Sequence, residues 1–70
     1  MRFLLLKYMG INKISTFEEL RVMAGFKPTN WKNRLNHPEE FRLFELRALD
    51  RVLHFSTEDF IELIREVSGE

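Results

Sequence analysis

The sequence predicts an all-α fold: a compact bundle of about five short helices containing a helix-turn-helix. Three observations lead there. Apolar residues recur at helical spacing in nearly every segment. Helix-capping signatures precede two of those segments. The three Gly and two Pro allow only a few turns. At 70 residues the chain is one domain, 1–70, near the lower size limit for independent folding. It has no cysteine, so no disulfide or thiolate metal site supports it. Seven Phe and one Trp make it too apolar for a disordered tail.

The first helix is expected over Arg2–Met9, ended by Gly10 as a left-handed C-cap. Its apolar residues nearly surround the axis, so one part should face a core and another a partner chain. A short strand over Phe3–Leu6 is the alternative, because a continuous apolar run has no period. Thr16-Phe17-Glu18-Glu19 opens the second helix as a capping box, in which Thr16 and Glu19 each satisfy the other's backbone amide. Leu20, Met23 and Ala24 follow at helical spacing, and Gly25 ends the helix.

Phe26-Lys27-Pro28-Thr29 forms the turn, with Phe26 as a buried plug. Pro28 suits the first turn of the next helix, where its missing N–H costs nothing. That third helix runs to Asn36, with Trp31 and Leu35 on one face and polar residues on the rest. Asn36-His37-Pro38 breaks it, and residues 38–42 make a loop anchored by Phe41. A fourth helix spans about Leu43–Leu53, with Leu46, Leu49 and Leu53 inward and Arg47 and Arg51 outward. Ser56 caps a fifth helix and Asp59 completes a second capping box. Phe60, Leu63, Ile64 and Val67 form its stripe, which leaves Ile61 over. The expected core is Leu20, Ala24, Phe26, Trp31, Leu35, Leu46, Leu49, Phe60 and Ile64.

Net charge is zero, but its distribution is uneven. Residues 1–16 carry Arg2, Lys7 and Lys13 and no acid; residues 27–36 carry Lys27, Lys32 and Arg34 and no acid. The last fifteen residues are acidic apart from Arg65. A basic side and an acidic end follow. The opening apolar run is stopped by Lys7, short of a signal peptide, and no stretch can span a bilayer. A cytoplasmic protein is expected.

Catalytic patterns are missing. There is no glycine-rich phosphate loop, no metalloprotease helix and no nucleophile elbow. His37 and His54 lie far apart without Cys partners, whereas a zinc site needs about four ligands. The acidic pairs Glu39-Glu40 and Glu58-Asp59 sit at helix or loop starts, where they suit the helix dipole. The chain is expected to be no enzyme and to hold no cofactor, metal or small-molecule substrate.

The third helix is the chemically pointed feature. Arg and Lys can donate to guanine O6 and N7, and Asn can pair with adenine N6 and N7. Thr29 and the free amides beside it can hold a phosphate. An ordinary solvated face would carry the same residue types, but the Asn content is high for a helix that gains no propensity from it. Trp31 could stack on a base, but four residues from Leu35 it fits a core position better.

Thr16–Leu20, Gly25-Phe26, the polar helix Thr29–Leu35, Asn36-His37, Phe44–Leu49 and Ser56–Phe60 together resemble the lambda-repressor-like helix-turn-helix family, the phage repressor and Cro type. The resemblance covers about residues 11–64, with the helix-turn-helix over about 16–36. It implies a sequence-specific DNA-binding transcriptional regulator whose residues 29–36 read the major groove of double-stranded DNA. Thr29, Asn30, Lys32 and Asn33 would lie at base edges, Lys27 and Arg34 near phosphates, and Arg42 would be a second clamp. The family commonly dimerises on palindromic sites, often through its final helix, which makes Ile61 and the acidic end candidates for a homodimer contact. Three positions depart from the pattern. Phe17 replaces a Gln that touches the DNA backbone, Arg21 a small Ala, and Arg34 an apolar residue. The first should weaken phosphate anchoring; the others could open or rotate the helix pair. The competing expectation is a small helical protein-interaction module that binds no DNA and uses Phe3–Leu6 or Ile61.

Overall fold

The computed structural model describes residues 1–69. Five helices follow one another: α1 (Arg2–Ile11), α2 (Phe17–Ala24), α3 (Pro28–Asn36), α4 (Leu43–Leu53) and α5 (Thr57–Ser68). A single 3₁₀ turn at Pro38–Glu40 joins α3 to α4. No strand occurs among the described residues, so Phe3–Leu6 is helical. The domain is all-α, as the spacing of its apolar residues predicts.

α1 lasts longer than expected. Gly10 lies inside it with helical neighbours, and the helix ends at Ile11 with Asn12 as its C-cap. The left-handed residue is Lys13, at φ 58°. Asn12 explains the extension. Its Nδ2 donates to the Tyr8 carbonyl at 2.8 Å and to the Leu53 carbonyl at 2.9 Å. One side chain thus closes the end of α1 and ties it to the end of α4. The Ile14 amide donates back to the Met9 carbonyl at 2.8 Å, which leaves Lys13 to make the left-handed step.

Both expected capping boxes form by half. Thr16 Oγ1 accepts from the Glu19 amide at 3.1 Å, but Glu19 Oε2 accepts from the Ser15 amide rather than from Thr16. At α5, Ser56 Oγ accepts from the Asp59 amide at 3.1 Å. The reciprocal bond is made by Tyr8, whose hydroxyl accepts from the Ser56 amide at 3.2 Å and donates to Asp59 Oδ2 at 2.5 Å. Lys7 Nζ reaches the same carboxylate oxygen at 3.2 Å. The start of α5 is therefore capped by α1, a tertiary contact invisible to a local motif.

The core centres on five Leu side chains with almost no exposure: Leu5, Leu20, Leu49, Leu53 and Leu63. Leu4, Tyr8, Met9, Ile14, Phe26, Trp31, Phe41 and Leu46 complete it. Of the expected set, Leu20, Phe26, Trp31, Leu46 and Leu49 are buried. Ala24, Leu35, Phe60 and Ile64 pack at its margin, half-buried. On α5 the deepest position is Leu63, with Phe60, Ile64 and Val67 half-buried beside it on the same face. Met23 is exposed, so α2 buries Leu20 alone. α2 packs on α4, and the 3₁₀ turn sits against both α3 and α5.

Two expected outcomes test these contacts. The Tyr8 hydroxyl, and next the Lys7 ammonium, hold the Asp59 carboxyl below the ordinary aspartate range. A depressed folded value means that Asp59 stabilises the fold above the unfolded value of about 3.9 and that this stabilisation is lost as pH falls through the folded value. Asp59→Asn should therefore lower the melting temperature at neutral pH and flatten its decline on acidification, measured by thermal melts in a series of acidic buffers. Separately, Lys13→Gly should raise unfolding free energy by about 0.5–1 kcal/mol in urea melts, because a left-handed non-glycine residue costs about 1–2 kcal/mol, part of which glycine's chain entropy takes back.

Candidate nucleic-acid interface on α3

α2 ends in a left-handed glycine. Gly25, at φ 82°, lets its own amide and that of Phe26 turn back to the Arg21 carbonyl, at 3.0 and 3.1 Å. The Arg21 side chain adds to this. Its Nη1 donates to the Phe26 carbonyl at 2.7 Å, while its Nε grips Glu18 at 3.0 Å. That hydrogen bond holds the Glu18 carboxyl below its usual range. A large Arg21 in place of a small residue could open or rotate the helix pair; here it straps the turn that joins α2 to α3. Phe17, the first helical residue of α2, packs half-buried against the core and presents no polar group there.

α3 starts at Pro28 after Lys27 in extended conformation, with no side-chain cap on its first amides. One residue buries it. Trp31 lies among Phe26 and Phe41, with ring centroids 5.0 and 6.4 Å away, and those two rings stand edge-to-face at 6.1 Å. Such pairs add about 0.5–1.5 kcal/mol each to the burial of their area. The burial of Trp31 fits a core role; the ring is not free to stack on a base. Its indole Nε1 is buried without a hydrogen-bond partner.

The second anchor is polar. Arg34 Nε donates to Glu45 Oε1 at 3.1 Å, and the Arg42 amide donates to the same oxygen at 2.9 Å. The Arg34 side chain is 18% exposed and that of Glu45 8%. Glu45 is the buried charged residue of the core and caps the start of α4 from inside. The family resemblance implies a phosphate contact for Arg34, as for Lys27. It is turned inward and occupied, since the polar face of a nine-residue helix wraps far enough to meet α4. Sequence spacing gave no sign of Glu45 as its partner, because a Glu at the third position of a helix reads as an ordinary cap.

The remaining expected residues lie on the outside. Lys27, Thr29, Asn30, Lys32 and Asn33 are exposed along the start and outer face of α3, and Arg42 is exposed just before α4. No acid stands between Lys27 and Asn36. An open groove of about 260 Å³ lies beside the start of α3, lined by Ala24, Gly25, Phe26, Lys27, Asn30, Phe44, Glu45 and Ala48. Phe44 lines it and is 68% exposed, a placement that spacing along the chain does not reveal. Among the described residues no three His, Asp or Glu side chains gather as a metal site requires. No described helix is long and apolar enough to cross a membrane.

Comparison with family models, with curated proteins and with solved structures gives no match.

The two anchors make separable demands on stability. Trp31→Ala should cost about 3–5 kcal/mol, the usual range for truncating a buried aromatic. Trp31→Phe should cost far less, because it keeps the ring packing and removes an unpaired buried donor that itself costs about 1–3 kcal/mol. Glu45→Ala should cost about 3 kcal/mol, the low end for breaking a buried pair, since Arg34 keeps some access to water. Urea unfolding curves of the three variants check this ordering.

Proposed function

We propose that this chain binds double-stranded DNA through the outward face of α3, as a sequence-reading regulator. The observation that carries the reading is a division of labour on one short helix. Trp31 and Arg34 are fixed to the core and to Glu45, while Lys27, Thr29, Asn30, Lys32 and Asn33 face solvent with no acid among them. A rigid helix with an outward amide and ammonium face supplies what groove reading needs: donors for guanine from Lys32, and paired donor and acceptor for adenine from Asn30 and Asn33. Lys27, the uncapped first amides of α3, and Arg42 supply phosphate contacts on either side. The turn strapped by Arg21 and the short α2 before it match the order of elements in a helix-turn-helix. Arg34 has no part in phosphate binding on this reading; its task is to hold α3.

A second reading is favoured by one observation. The groove between α2, α3 and α4 has Ala24, Phe26 and Ala48 in its lining together with the exposed side chain of Phe44. A protein-interaction module that binds no DNA would use that surface.

Binding to duplex DNA across a salt series separates the two. If Lys27, Lys32 and Arg42 each neutralise one phosphate, the logarithm of the affinity should fall against the logarithm of salt with a slope of about −3 per protomer. Lys27→Ala should weaken all sequences alike and flatten that slope by about one unit. The triple change Asn30→Ala, Lys32→Ala, Asn33→Ala removes only exposed side chains, so it should alter stability by no more than about 0.5 kcal/mol. It should nevertheless abolish preferred binding. A triple variant that binds its preferred duplex as tightly as the parent would overturn the DNA reading. Salt-insensitive binding to a protein partner, lost on Phe44→Ser, would support the second.

A further inference from the structure

The outward face of α3 is amide and hydroxyl at its centre and cationic only at its edges. Successive residues of a helix advance by about 100° around the axis. With the buried Trp31 as the inward direction, Leu35 falls on the same side and Arg34 turns back to Glu45. The line directly opposite runs through Thr29, Asn33 and Asn36, all three exposed. Asn30 and Lys32 lie about a quarter turn from that line, on opposite flanks. Asn30 is on the flank of the groove that Lys27 and Phe44 also line.

Arg34 is the residue that would have changed this face. An Arg that grips guanine O6 and N7 together is the commonest specific contact in the major groove, and Arg34 is the single Arg of α3. Its Nε donates to Glu45 Oε1 at 3.1 Å, its side chain is 18% exposed, and the Arg42 amide holds the same Glu45 oxygen at 2.9 Å. No outward arginine is left on the helix. Lys32 remains as a donor to guanine, but it is one point charge without the planar fork of arginine. At the far end Asn36 is partly occupied, since its Oδ1 accepts from Arg2 Nη2 at 3.4 Å. Thr29, Asn30 and Asn33 are left in the first two turns, where groove-reading helices make their base contacts.

We infer that the duplex α3 reads is dominated by A·T pairs, with adenine gripped by Asn33 and Asn30 and at most one G·C pair, contacted by Lys32. The inference rests on DNA binding by α3. An Asn side chain accepts from adenine N6 through its oxygen and donates to N7 through its amide, a match that no other base offers in the major groove. The Thr29 methyl suits the C5-methyl of thymine. Thr29 and Asn33 are about 6 Å apart along the helix axis, comparable to two base steps of about 3.4 Å. An α-helix does not enter a minor groove about 6 Å wide, so the preference is expressed through major-groove atoms.

Selection from a random duplex library with the whole chain tests this. The bound pool should be enriched in A·T pairs at the contacted positions. Replacing one contacted adenine by 7-deazaadenine removes the N7 acceptor and should weaken binding by about 5- to 150-fold, the cost of one lost bidentate pair. Replacing the contacted thymine by uracil should weaken it less, and Thr29→Ser should erase the difference between the two bases. Asn33→Arg should keep the parent's circular dichroism and move the preference at one position from adenine to guanine, a change that no loss of stability produces. Salt-dependent binding of a pool rich in G·C pairs, or of one without base preference, would overturn this inference and leave DNA binding by α3 standing. Undiminished binding to the 7-deazaadenine duplexes would also overturn it, since the preference would then lie in the shape of the duplex. Binding to no duplex at all would overturn both.

Discussion

The burial of Trp31 is the constraint on which the candidate interface depends. α3 is nine residues long, with two Asn, a Thr and a Pro in its first six positions, and by propensity alone it would not persist in water. Its stability comes from one ring. Trp31 enters the space between Phe26, from the turn before α3, and Phe41, from the loop after it. Both ends of the helix are thus fixed to the same aromatic cluster as its middle. Arg34 and Glu45 then set rotation about the axis, since an ion pair on one side of a helix pinned by a Trp leaves little freedom. With position and rotation fixed, the opposite face needs no apolar residue and is left to Asn, Lys and Thr.

The turn before α3 repeats this economy. Gly25 supplies the left-handed step, and Arg21 supplies both a carbonyl and a guanidinium to close it. Arg21 is mostly covered despite its charge, because Glu18 balances it one turn earlier and the Phe26 carbonyl takes a remaining N–H. Between α1 and α5 Tyr8 has the comparable task. Its ring packs on Phe55 at 4.8 Å, and its hydroxyl joins the first turn of α5 to α1. A domain this small has few layers to share load among, and several side chains serve two elements at once.

Much of the fold was legible in the sequence. The four helices α2 to α5 begin and end within a residue or so of where Thr16, Gly25, Pro28, the Asn36-His37-Pro38 break and Ser56 place them, because capping and proline chemistry act over three or four residues and need no tertiary information. Leu20, Phe26, Trp31, Leu46 and Leu49 were recognisable as core for the same reason: each lies on the apolar stripe of its own segment. α1 was harder. Its apolar residues surround the axis, so periodicity could not say which would be buried, and Gly10 looked like a terminus because glycine ends helices more often than it sits within them.

By itself the sequence determined the helical class, the order of elements and the polar character of α3, all consequences of local spacing and backbone chemistry. The tertiary structure alone decided which polar residues are free. Arg34 and Lys32 look alike in the chain, yet one is bound to Glu45, eleven residues on, and the other faces water. Three residues after Ser56, the Asp59 carboxylate looks like half of a local cap, yet it is held by Tyr8, fifty-one residues away. Which apolar residues of α1 stay outside, Phe3, Leu6 and Ile11 among them, was decided only when Leu4, Leu5, Tyr8 and Met9 had taken the inward side. The physical reason is common to all three. A side chain's partner is set by which surfaces the packed helices bring within a few ångströms, and that depends on the whole core, not on the neighbours in sequence.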